Sequence, residues 1–311
     1  MTQPKTRLSE NARGMLLMIG NMAAFTFSDA CVKAIGAALP LSQILVLRGL
    51  VASLFIAWLA LRLGAFRHRP APRDAALMLL RGTAECASAY LFLTALRNMP
   101  LANATALLQM VPLTVTLGSA VFFGEPVGWR RWLAIAGGFC GMLLIVRPGT
   151  EGFNAFSVYA LLAVAAVTLR DLTTRRLSAA LPSMQVTLSS SVLVMLFAAA
   201  SSLSEDWQPL DARLLALMLG TSVLIVAGYT FSVMVMRIGE VGFIAPFRYT
   251  GLIWALLLGL VVWGELPQPT TLLGAAVIVA MGSFTLWRER QLRRAGARVQ
   301  ATPAAAKTRR T

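Results

Sequence analysis

The sequence predicts an all-α polytopic membrane protein: ten transmembrane helices arranged as two inverted five-helix repeats, with both termini cytoplasmic. Three observations lead there. Of 311 residues, 57% are hydrophobic and only 13% charged, against roughly 25% charged in a soluble domain. Cutting the chain at its charged residues leaves uncharged stretches at 98–124, 132–146, 152–169, 177–204, 214–236, 249–264 and 266–287; about 20 mostly apolar residues suffice for one crossing. A set of landmarks also recurs 142 residues downstream.

The spans follow in order. The first, 14–35, starts behind the basic Lys5, Arg7 and Arg13 and stops before Leu39-Pro40. The second, 43–64, ends in an Arg-rich loop holding the single histidine, His68. Pro70-Ala71-Pro72 opens the third, 75–96, and Met99-Pro100 closes it. The fourth, 101–123, stops at Gly124-Glu125-Pro126, and the fifth, 129–147, at Pro148-Gly149. The sixth, 155–175, ends in Arg175-Arg176, and Leu181-Pro182 precedes the seventh, 184–203. The eighth is 212–236, the ninth is 241–263 up to Gly264-Glu265, and the tenth, 270–288, follows Leu266-Pro267. Proline lacks an amide hydrogen and glycine accepts left-handed backbone, so both mark helix limits. Trp129, Trp263 and Trp287 read as anchors at the membrane interface.

The landmarks divide the chain into halves at 14–147 and 155–288, followed by a basic, disordered cytoplasmic tail, 289–311. Residues 37–43 (Ala-Ala-Leu-Pro-Leu-Ser-Gln) return as 179–185 (Ala-Ala-Leu-Pro-Ser-Met-Gln). Asp29 and Lys33 match Asp171 and Arg175 at the same offset, and Gly82-Thr83 matches Gly220-Thr221. Arg97 precedes Glu125 by 28 residues, as Arg237 precedes Glu265. Because 14–35 pairs with 155–175, it is expected in the mature chain rather than as a cleaved leader. Five helices per half force the halves into opposite orientations. Loop 62–73 carries four arginines, whereas 204–213 carries Glu205, Asp206, Asp211 and one Arg213; the positive-inside rule then places the first loop and both termini in the cytoplasm. Inverted repeats of this kind build membrane carriers, with the binding site between the halves near the midplane.

Composition excludes other classes. The formal charge is +15, but eight of the 28 basic residues fall after residue 287 and most others at span ends. That distribution marks a membrane topology rather than a nucleic-acid face. The three cysteines, Cys31, Cys86 and Cys140, lie in apolar spans without a C-x-x-C pair, so neither a disulfide framework nor a metal knuckle is expected. With no histidine in the apolar body, Ser-His-Asp catalysis and His-based zinc sites are absent; no catalytic residue, metal or cofactor is predicted. No phosphate-loop motif points to ATP.

The ten-span layout, the Gly-Glu steps Gly124-Glu125 and Gly264-Glu265, and the glycines of spans five and ten (Gly137, Gly138, Gly141; Gly274, Gly282) together resemble the drug/metabolite transporter superfamily, EamA family, over residues 14–288. Phe25-Thr26-Phe27-Ser28-Asp29, Leu47-Arg48-Gly49 and Pro246-Phe247-Arg248-Tyr249 resemble bacterial members that carry organic metabolites, among them riboflavin and S-adenosylmethionine carriers. The resemblance implies a multi-pass protein of the bacterial inner membrane that moves a small vitamin-like or nucleoside-like molecule, riboflavin first and S-adenosylmethionine second. Export of amino acids or drugs is the alternative, and a receptor or assembly subunit a more distant one. Expected partners are the small-molecule substrate and the lipid bilayer, with no nucleic acid and with a homodimer admissible.

Charges inside spans identify candidate site residues. Asp29, Arg48, Arg81, Glu85, Arg170, Asp171 and Arg248, if unpaired in lipid, would cost roughly 20 kcal/mol together. That exceeds the ~5–15 kcal/mol stability of a whole domain, so they must face the interior, pair, or line a wet cavity. Asp29 with Lys33, Arg81 with Glu85 and Asp171 with Arg175 are each four apart, a spacing that permits neutralisation within one helix. Glu85 lies eleven residues from Asp74, about 16 Å along a helix, which puts it near the membrane centre. Arg248 follows Pro246, where a broken helix can present a cation to a ligand, and Tyr249 adjoins it. Glu85, Arg248, Arg48, Tyr249, Gln109, Tyr90 and Tyr229 are therefore the predicted substrate-binding residues. Asp29, Glu85 and Asp171 are predicted to couple transport to a proton or ion, with exchange and facilitated diffusion also open. Glu125 and Glu265 are expected to cap the helices that follow them.

Overall fold

The computed structural model describes residues 10–67, 69–149, 154–178, 180–235 and 241–308. His68, Ala179 and Arg237, used above as landmarks, lie outside the described residues, as do Lys5 and Arg7. Among the described residues the chain is helical without strands. Ten of its helical segments are long and apolar enough to cross a membrane, which makes it a multi-pass membrane protein.

Helix limits fall where the punctuating residues stand. Helix α1 (Glu10–Ile35) passes through a short 3₁₀ turn to Leu39, and Pro40 opens α2 (Leu41–Arg62). Pro72 is the first residue of α3 (Pro72–Asn98), where its missing N–H costs nothing. Helix α6 (Trp129–Val146) ends at Arg147, which takes a left-handed conformation at φ 50° without being glycine. Then come α7 (Phe156–Arg176), α8 (Ser183–Ser202) behind Pro182, and α9 (Ala212–Val235).

Among the described residues two spans are broken. The fourth consists of α4 (Leu101–Leu108) and α5 (Val111–Phe123). Pro112 explains the break, because its ring clashes with the carbonyl four residues earlier, that of Leu108. The ninth span consists of α10 (Val241–Ile244), a 3₁₀ turn at Ala245–Tyr249 that contains Pro246, and α11 (Thr250–Trp263). Helices α5 and α11 both end in a left-handed glycine, Gly124 and Gly264, each at φ 64°. The last helix, α12, runs from Pro269 to Thr308, where the sequence reading has a disordered tail from 289. Alanine and arginine are strong helix formers, and extending an existing helix avoids the cost of nucleation.

Packing joins the first half to the second. Helix α1 packs on α9, α2 on α8, α3 on α7 and α6 on α12. The α6–α12 crossing is close enough that a Cβ on Gly141 would stand 2.7 Å from the carbonyl oxygen of Gly274. The largest fully buried side chains include Leu93, Leu96, Leu101, Leu107, Met110 and Leu113, on α3, α4, α5 and the break between α4 and α5. Leu54, Phe122 and Val261 are exposed on the outside, as lipid-facing residues must be. Chain connections alternate between two faces of the bundle. Among the described residues, one face carries 36–40, 99–100, 147–149, 154–155, 203–211 and 264–268; the other carries 63–67, 69–71, 124–128, 177–178 and 180–182.

Candidate substrate cavity and its two faces

A cavity of about 680 Å³ lies between the halves, within the range of pockets that hold small organic ligands. It reaches from the middle of the bundle to the α7–α8 connection, where Leu177, Ser178 and Leu181 line it. Six of the seven charged span residues meet there or beside it, through helices brought together from both halves.

Four of them form a balanced cluster. The Arg170 guanidinium on α7 donates from Nη1 to both Glu85 carboxylate oxygens on α3, at 3.3 Å each, and from Nε to Asp171 Oδ1 at 2.9 Å. Arg81 stands 4.0 Å from Glu85 Oε2. It also donates to Thr174 Oγ1 at 3.0 Å and to the Ser190 hydroxyl. With two cations facing two carboxylates, none of the four is left as a lone buried charge, the costliest arrangement. Arg48 and Arg248 also line the cavity, but neither makes an ion pair among the described residues. Arg48 Nη1 and Asn21 Oδ1 are both buried without a hydrogen-bond partner there. Tyr229 completes the wall, edge-on to Phe25 with ring centroids 5.8 Å apart.

The predicted site residues therefore separate into two groups. Glu85, Arg48, Arg248, Tyr229 and Asp171 line the cavity. Tyr249, Gln109, Tyr90 and Asp29 do not. Tyr249 is buried with its hydroxyl against Gly282. Gln109 is buried at the α4–α5 break and donates from Nε2 to the Arg248 carbonyl at 3.4 Å, so the two broken spans touch each other. Tyr90 bonds Ser201 at 2.6 Å and packs edge-on to Phe197, fastening α3 to α8. Asp29 lies on α1 within electrostatic reach of Arg48. The sequence reading did not assign Arg81, Arg170, Asn21, Phe25 or Ser190 to the site. The two arginines carried a signal as intramembrane charges, and Phe25 stood in the Phe25–Asp29 stretch that resembles metabolite carriers; Asn21 and Ser190 carried none.

Among the described residues the expected pairs Asp29–Lys33 and Asp171–Arg175 do not form; Asp171 is bonded by its own neighbour on α7, Arg170. Lys33 instead pairs with Glu265 across the halves, at 3.0 Å, with side chains only 8% and 23% exposed. It also donates to the Met99 carbonyl and lies 5.4 Å from the centre of the Trp263 ring. Glu265 caps a helix, though not the one that follows it: its Oε2 accepts from the Leu101 amide, at 3.0 Å, at the start of α4. On the same face Gln43 and Gln208 exchange two hydrogen bonds of 2.9 and 3.0 Å, and Ser42 bonds the Glu205 carboxylate. This face is thus tied shut between the halves. On the other face Arg175 meets Glu125 at 3.6 Å, with the two side chains 42% and 50% exposed.

Comparison with known proteins agrees with this architecture. Residues 12–147 match the EamA-like transporter family. The pseudopaline exporter CntI of Pseudomonas aeruginosa (strain UCBPP-PA14) is 27% identical over 271 residues, 86% of this chain and 93% of that protein. The riboflavin transporter of Vibrio cholerae serotype O1 is 29% identical over 198 residues, 63% of this chain and 66% of its own length. The S-adenosylmethionine uptake transporter of Rickettsia felis is 26% identical over 194 residues, 62% and 65% respectively. The crystal structure of another protein shares the fold with a TM-score of 0.59 at 20% identity, over 88% of this chain and 97% of that one.

Proposed function

We propose that this chain, a membrane transporter with an EamA-family domain at residues 12–147, carries a small organic metabolite across the bacterial inner membrane by alternating access. The observation that carries this reading is the charged cavity between the halves, tied shut on one face and reaching the other. Similar proteins named for riboflavin, S-adenosylmethionine and pseudopaline support a small-molecule cargo. They include both an uptake protein and an exporter, so either direction is compatible with the fold.

The inverted repeat supplies the moving parts. Under the repeat, Lys33 corresponds to Arg175 and Glu265 to Glu125. Each basic residue pairs with the Gly-Glu carboxylate of the opposite half, and the two pairs stand on opposite faces. Packing follows the same exchange: α1 on α9 mirrors α7 on α3, while α2 on α8 and α6 on α12 map onto themselves. One pair is tight and buried and the other long and exposed, as expected of a carrier caught with one gate shut. The face carrying Arg62, Arg73, Arg130, Arg131, Arg175 and Arg176 is cytoplasmic by the positive-inside rule. The described conformation is then closed outward. The broken spans touch at Gln109 and Arg248, where a rocking half can change its contacts without breaking regular helix. Uptake of a metabolite mixture into proteoliposomes holding the purified chain tests the reading; retention equal to that of protein-free liposomes for every compound refutes it.

A further inference from the structure

We infer that the cavity selects an organic anion, held through a carboxylate or phosphate oxygen by Arg48 and Arg248. This inference rests on the carrier reading above and adds the charge class of the cargo. The lining carries four guanidinium groups, Arg48, Arg81, Arg170 and Arg248, against two carboxylates, Glu85 and Asp171. Arg81 and Arg170 are matched by those carboxylates through bonds already formed. Asp29 does not line the cavity and makes no ion pair with Arg48 among the described residues. Arg248 has no carboxylate within ion-pair distance among the described residues. An arginine cannot escape the mismatch by giving up its proton. The cavity therefore holds excess positive charge in surroundings of low dielectric, where a cationic cargo is repelled and an anionic one attracted.

Geometry adds a second requirement. Among the described residues Arg48 Nη1 lacks an acceptor and Asn21 Oδ1 lacks a donor, and both are buried on the lining. A planar guanidinium takes a carboxylate or phosphate in two parallel bonds. The Asn21 oxygen then accepts from a hydroxyl or amine on the same molecule. The edge-on pair Phe25 and Tyr229 offers an apolar wall to the carbon skeleton. The cargo class is a hydroxylated or aminated organic anion, which sets it apart from a sulfonium cation such as S-adenosylmethionine.

The test uses the purified full chain in proteoliposomes, where both orientations are present. They are incubated with a deproteinised extract of bacterial metabolites supplemented with riboflavin, riboflavin 5′-phosphate, citrate and S-adenosylmethionine, and the retained compounds are identified by mass spectrometry. Retention of anions, falling about tenfold or more in the Arg48→Gln and Arg248→Gln variants and returning in part with Arg248→Lys, is expected. Riboflavin 5′-phosphate and citrate separate phosphate from carboxylate preference. Retention of neutral or cationic compounds in preference to anions overturns the charge class and leaves the carrier reading standing. So does anion retention that survives both glutamine substitutions at wild-type level. Retention of nothing above protein-free liposomes overturns the carrier reading itself. Size-exclusion profiles of each variant exclude misfolding as the cause of a loss.

Discussion

Weakening the tight gate should turn the cavity around. Glu265→Gln keeps side-chain size and a carbonyl for the Leu101 amide but removes the charge facing Lys33. Breaking a buried ion pair costs about 3–5 kcal/mol. Glu265 is partly exposed and glutamine retains a hydrogen bond, so about 2 kcal/mol is the expected loss, or roughly 30-fold in the ratio of closed to open outer gate. The corresponding change at Glu125 removes a half-exposed contact of 3.6 Å, which contributes about 0–1 kcal/mol in this conformation. It should therefore move the equilibrium little, and in the opposite direction. The assay places Ser190→Cys, on the cavity wall, in a chain whose Cys31, Cys86 and Cys140 are replaced by serine. The rate of labelling by a membrane-impermeant maleimide is then measured from outside intact cells. Glu265→Gln should raise that rate about tenfold or more, and Glu125→Gln should leave it level or lower it. Equal acceleration by both changes, or none by Glu265→Gln, refutes the paired-gate reasoning.

Other expectations concern topology, site and packing. Single cysteines at Ala38 and Ser204 should react from the periplasm and one at Arg69 only after permeabilisation; reaction of Ser204→Cys and Arg69→Cys from the same side defeats the inverted arrangement. Arg248→Ala should abolish uptake at unchanged membrane abundance. Because Glu85 is bound to Arg170 and not to Arg248, adding Glu85→Gln should not restore it, and recovery in the double variant would make Arg248 a counter-charge only. Gly141→Val should lower thermal stability in detergent by about 1–3 kcal/mol, since any Cβ there meets the Gly274 backbone; an unshifted melting curve would mean that the two helices are not in close contact.

The ten spans were legible because their limits are set by proline, glycine and charge, residues whose effects are local. The break at Pro246 was legible for the same reason. Pro112 offered the same signal within residues 101–123, and a span read by hydrophobicity alone conceals it. The side-chain partners were not legible. Lys33 and Asp29 satisfy the helical spacing for a pair, yet Lys33 turns to Glu265, 232 residues away in sequence. Spacing within a helix establishes which groups can meet, whereas the choice among partners depends on the other half. Tyr90 and Gln109 show the complementary case: a polar group within a span has to be satisfied, and here Ser201 and the Arg248 carbonyl on neighbouring helices do so, as well as a ligand could.

Polar and charged groups within the spans are satisfied in different ways. Hydroxyls and amides such as Tyr90 and Gln109 find partners across a helix interface at little cost. Guanidinium groups need opposite charge. In the Glu85, Asp171, Arg81 and Arg170 cluster that need is met within the protein, which allows the cluster to serve as a fixed wall. At Arg248 it is not met among the described residues. Under the proposed anion site, the cost of an unmatched arginine in the middle of the bundle is offset by a compensating group in the cavity. Binding of such a group, being strongest where both arginines face it, also biases whichever gate is shut, because a ligand shifts a conformational equilibrium only by its difference in affinity for the two states.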